Sequence, residues 1–201
     1  MTRRSSRQQL TPAYHEAGHT VAALMLGYPV RSVSIVPNDY SQGRLDWDSP
    51  LGDPSLEFGN VDKVKHLIEH AIIVMRAGSM AQRRHNPRRW RYGLTGARRG
   101  EPPGEGSDEQ GIQEQINRLY RDRKVAKAFR QYLESRTEAL VNANWARIGR
   151  LARALHKQQM LEGDAIERAM LSPRELALRG ARLDGSLTPS DLVAKLGHRP
   201  R

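Results

Sequence analysis

The stretch between Thr11-Pro12 and Gly27-Tyr28-Pro29 constrains the chain more than any other. Pro at the start of a helix and Gly just past its end are ordinary boundary signals, so a helix is predicted over roughly Pro12 to Leu26, with Thr11 as N-cap. Projected at about 100° per residue, His15, His19, Ala22 and Leu26 share one stripe, while Ala13, Ala17, Val21 and Leu24 lie on the opposite one. A helix apolar on both sides has to be enclosed by other elements. Its histidines then point inwards, and buried imidazoles need partners.

His15-Glu16-Ala17-Gly18-His19 has the H-E-x-x-H pattern, which sets two imidazoles one turn apart on one helix face, where both reach a single metal. A catalytic zinc takes three protein ligands and keeps a fourth position for water. Glu16, beside the ligands, is the expected general base for that water. Ala17 and Gly18 are small, which is expected to leave room around the metal. The chain has no cysteine, so every ligand has to be a histidine or a carboxylate. Candidates for the third ligand are Glu101, Glu105, Asp108 and Glu109. Asp108 is best placed, because it opens a predicted helix whose N-terminus favours an anion, yet the same acid would serve equally to stabilise the helix dipole.

A second motif, His66-Leu67-Ile68-Glu69-His70, has the inverted zinc-peptidase spacing. Its polar residues lie opposite the apolar face of Val64, Leu67, Ile68, Ala71 and Met75, so His66, Glu69 and His70 are expected on a solvated surface without a metal.

The rest of the chain predicts a mainly α fold (α+β) with a small β-hairpin or sheet near the active-site helix. Strands are expected over Val30 to Val36 and Gly43 to Trp47, and a loop from Asp48 to Asn60. Helices are expected from Val61 to about Arg84, from Asp108 towards Arg121, from Lys124 to Lys157 as one long element, and from Asp164, as cap, to Met170. One peptidase domain would cover residues 11–171 and contain a basic mobile loop at 83–106. A flexible basic N-terminus at 1–10 and a partly ordered tail at 172–201 would flank it.

The net charge of +11 and pI near 10.5 suit acidic partners, and seven arginines fall between Arg83 and Arg99. The longest apolar runs, Val21 to Leu26 and Ala71 to Met75, fall far short of the roughly 20 residues of a membrane span. No apolar signal segment follows the basic start, so a soluble, cytoplasmic protein without membrane insertion is expected.

Four stretches in order resemble one family. Ala13-Tyr-His-Glu-Ala-Gly-His19, followed by Val33-Ser-Ile-Val-Pro37, resembles the start of the peptidase domain of FtsH-type proteases. Ile73-Val-Met-Arg-Ala-Gly-Ser-Met-Ala81 is similar to that family's helix ending in Gly-Gly-Arg-x-Ala-Glu. Gly104-Glu-Gly-Ser-Asp108 resembles its Gly-Ala-Ser-Asn-Asp turn, and Thr137 to Met160 its long helix. Over roughly Thr11 to Met170, the resemblance implies zinc held by His15, His19 and Asp108, with Glu16 as base, and assembly of several copies in a ring.

Two departures stand out: Gln82 replaces the family's Glu, and the stretch from Arg83 to Pro103 is longer and more basic. Neither is expected to touch the zinc ligands. The family's ATPase and membrane helices have no counterpart here, and no G-x-x-x-x-G-K-[ST] phosphate loop occurs. The expected function is therefore ATP-independent hydrolysis of peptide bonds in flexible or unfolded protein segments. The alternative is a regulatory or binding protein that keeps the zinc site and uses its arginine-rich loop, with Trp90 and Tyr92, to hold nucleic acid or an acidic partner.

Overall fold

The first helix, α1, covers Thr11–Met25 in a computed structural model that describes residues 10–37, 43–52, 61–87 and 108–183. Its N-cap is Leu10, one residue before the expected Thr11. The Leu10 carbonyl accepts the Tyr14 N–H at 3.0 Å, and the Leu10 side chain packs on the core, so the first turn starts there. Gly27 ends the helix at φ +87°, a conformation that side chains with a Cβ rarely adopt, and lets Tyr28 N–H return to the Ala23 carbonyl at 3.0 Å.

The chain then forms a small antiparallel sheet. β1 (Val30–Ser34) pairs with β2 (Arg44–Trp47), and β3 (Met160–Glu162) adds to the other side of β1, giving the order β2-β1-β3. β1 stops at Ser34, short of the expected Val36. β3 was not expected at all: three residues with one buried side chain, Leu161, give no readable period. A short 3-10 turn at Pro50–Gly52 lies within the expected loop.

α2 (Val61–His85) is the central support, and its two sides serve two cores. Val74, Ala77, Met80 and Ala81 face α1 and belong to the core that also takes in Val33, Leu151, Leu155 and Leu161. Leu67, Ile68, Ile72 and Ile73 face Ile112 and Ile116 of α3 (Asp108–Leu119) and Phe129 and Leu133 of α4 (Arg123–Ala143). α4 is capped by Asp122, whose carboxylate accepts the N–H groups of Lys124 and Val125 at 2.7 and 3.1 Å.

The single long helix expected from Lys124 to Lys157 is two. Asn144, at φ −107° and ψ 14°, separates α4 from α5 (Trp145–Gln158), and its side-chain amide donates to the Leu140 carbonyl at 3.0 Å. The break lets the chain change partners, since α4 packs on α2 and α5 on α1. α6 (Asp164–Met170) follows, with Gly163 rather than Asp164 at the cap.

α7 (Pro173–Leu183) corrects the expectation of a poorly ordered tail from residue 172. Ser172 and Glu175 form a reciprocal capping box: Ser172 N–H donates to Glu175 Oε2 at 2.7 Å and Glu175 N–H to Ser172 Oγ at 3.2 Å. Arg147 and Arg150 of α5 pair with the same carboxylate at 3.3 and 3.6 Å.

The expected basic N-terminus lies, but for Leu10, outside the described residues, as do most of the arginine-rich loop with Trp90 and Tyr92 and the end of the tail. The fold is mainly helical with one small sheet, as expected. Among the described residues, no helix is long and apolar enough to cross a membrane.

Candidate metal centre

Small residues bring α1 against α2 at the motif. A Cβ on Gly18 would fall 2.5 Å from the Ala77 carbonyl and 2.8 Å from Ala81 Cβ, so Gly18 serves helix contact rather than space for a metal. A Cβ on Gly78 would collide with the His19 ring. With these side chains absent, a row of α2 residues at intervals of four, Val74, Gly78 and Gln82, lies along the two histidines.

That row orients both rings. His19 Nδ1 lies 2.7 Å from the Val74 carbonyl, which can only accept, so Nδ1 carries the hydrogen and Nε2 faces the other way. His15 Nδ1 likewise donates to Gln82 Oε1 at 2.9 Å. The two Nε2 atoms meet at 2.9 Å, and Asp108 Oδ2, from the first turn of α3, lies 3.2 Å from each.

Bonds of about 2.0–2.1 Å in a tetrahedron put neighbouring donor atoms about 3.3 Å apart. The observed 2.9, 3.2 and 3.2 Å are close to that spacing, so the chain's own donors fit a zinc-sized cation. Among the described residues, His15, His19 and Asp108 are the one group so disposed.

The electrostatics agree with a cation at this point. Burial opposes charge on His19, but the Asp108 carboxylate by charge and hydrogen bond, with Glu16 and the Val74 carbonyl, outweighs it and holds the ring up at about 9. Burial would raise Asp108, yet His19 and His15 together drive its carboxyl far below the usual range. In the metal-free protein a proton thus occupies the place of the metal. Glu16 is buried, 7% exposed, and burial raises its carboxyl against the opposing pull of His19 and His15. Gly43, just before β2, adjoins that carboxylate so closely that a Cβ there would strike it.

No family model matches the chain, and no curated protein matches it. What the site can hold is read from its own donors.

Of the other third-ligand candidates, Glu109 turns away to Arg76 and Arg130, each at 2.6 Å. Glu101 and Glu105 lie outside the described residues. The inverted motif forms no metal group, but its expected solvation is corrected for two of its three residues. Glu69 is buried and paired with Arg136 at 3.1 Å, and His70 Nδ1 is 2.9 Å from the Tyr28 hydroxyl. Elements from elsewhere cover what the isolated helix leaves bare; His66 alone is exposed.

Gln82 is the other correction. It was expected to stay clear of the ligands and instead holds His15. Its legible signal is the spacing of four from Val74 through Gly78, which sets a lone amide on the stripe of small residues facing the motif.

Proposed function

We propose that the chain is a zinc peptidase that cleaves flexible or unfolded protein segments without ATP, akin to an FtsH-type peptidase domain lacking its motor. The observation that carries the reading is the convergence of His15 Nε2, His19 Nε2 and Asp108 Oδ2 beside the buried Glu16. Zinc bound there would supply a Lewis acid, which makes water acidic and polarises a carbonyl.

The protein's own groups supply the rest. Glu16 takes the proton of the attacking water and returns it to the leaving nitrogen, and its raised pKa makes it a stronger base than an exposed carboxylate. Val74 and Gln82 keep each imidazole in the tautomer whose Nε2 is free to ligate. β2 is an edge strand that begins one residue after Gly43, so an extended substrate pairing with it would pass close to Glu16. Backbone pairing of this kind tolerates many sequences.

The test is casein cleavage with zinc content measured in parallel. Glu16→Gln is expected to retain zinc and lose at least about a hundredfold in kcat. Undiminished cleavage by a folded Glu16→Gln protein would refute the proposal.

A further inference from the structure

The first turn of α3 carries Asp108 but has no buried apolar side chain. Asp108, Glu109, Gln110 and Gly111 are all partly exposed, and burial begins at Ile112 and Ile116. Apolar packing therefore holds the middle of α3 and leaves its first turn to be fixed by other means.

Two contacts fix it. At Gly111 an added Cβ would lie 3.0 Å from Met75 Sδ, so α3 approaches α2 closely one turn after Asp108. Glu109 is gripped from both sides: Arg76 Nη1 of α2 donates to its Oε2 and Arg130 Nη1 of α4 to its Oε1, both at 2.6 Å. Each guanidinium has a second anchor, Arg76 on Glu134 at 2.9 Å and Arg130 on Gln113 at 2.5 Å. The two arginine side chains are 15% and 23% exposed, so these pairs are screened less than ordinary surface pairs.

Successive residues on a helix project about 100° apart. Clamping Glu109 between α2 and α4 therefore sets the rotation of α3 about its axis, and that rotation aims Asp108 at the histidines. We infer that Glu109, Arg76 and Arg130 are positioning residues that hold Asp108 in place as the third metal ligand. The inference rests on the zinc reading above; the clamp itself contains no metal ligand. A ligand has to be held within about 0.5 Å of its working place, and this is the network that does so for the one ligand outside α1.

The test compares wild type with Glu109→Gln and Arg130→Met, with Arg147→Met as a control that removes an ion pair on α5 away from the site. Zinc affinity is measured by chelator competition, and amide exchange is followed in the metal-free protein at Ile112 and Gln113, whose N–H groups close the first turn. The clamp variants are expected to bind zinc about tenfold or more weakly. They should also exchange faster at Ile112 and Gln113 while Ile72 in α2 stays protected, and the control should match wild type in both. If wild type binds zinc and the folded clamp variants stay within about twofold of it, the positioning role is refuted and the metal reading stands. If wild type itself binds no zinc, the metal reading fails and takes the ligand role with it.

Discussion

His15 and His19 stand on different supports. His19 leans on the main-chain carbonyl of Val74, fixed by the helix itself, whereas His15 depends on the side chain of Gln82. Both supports are neutral acceptors, which set the tautomer without adding charge. Removing the side-chain support in Gln82→Ala is expected to weaken zinc binding about 10- to 100-fold, measured by chelator competition. Gln82→Glu should bind at least as tightly as wild type but turn over more slowly, because a carboxylate behind the ring makes the ligand more basic and the metal a poorer acid. Faster turnover in that variant would show that Gln82 does not tune the site.

α2 is where two cores and the centre meet, so cutting into one side of it tests how the elements depend on one another. Ile112→Ala, on α3, removes a side chain only 1% exposed that packs on α2, and is expected to cost about 2–5 kcal/mol in denaturant unfolding. It should weaken zinc binding as well, since Asp108 rides on the same helix.

At this scale the sequence was readable where signals were local and long. α1 and α2 followed from boundary residues and sustained period, and the His15 to His19 motif from its spacing. The helix break at Asn144 was hidden because Leu133, Leu140, Leu151 and Leu155 keep helical spacing across it. The start of α7 was legible but missed, since Ser172-Pro-Arg-Glu175 is a capping-box pattern with proline at the first helical position. His70 was misplaced for a physical reason: a helical wheel sees one helix, and Tyr28, which covers the ring, arrives from the turn after α1.

Across the whole molecule, two histidines give the metal-free protein opposing responses to pH. His19, at about 9 against an ordinary 6.5, contributes stability that is complete below pH 6.5 and is lost as pH rises through 9. His70 is pushed down to about 4 by burial, then by His66 and Arg136, so its contribution is present above pH 6.5 and is lost as pH falls through 4. Thermal unfolding of the metal-free protein should therefore have its highest midpoint near pH 6.5 and decline to either side. Zinc needs the His19 ring neutral, so binding expels the proton and its stabilising effect should grow towards pH 9. Scans with and without zinc check this, and an alkaline decline of equal size in both would contradict it.

The outer row of main-chain groups on β2 has no strand beside it among the described residues. Such a row cannot distinguish a foreign chain from a sibling, and an open edge is the usual route by which folded proteins zip into aggregates. Here the edge is only 4 residues long, Arg44 stands exposed upon it, and Asp46 is drawn across to Arg31 at 2.8 Å. Brevity and charge along the rim, rather than a covering element, are what keep one copy from templating the next.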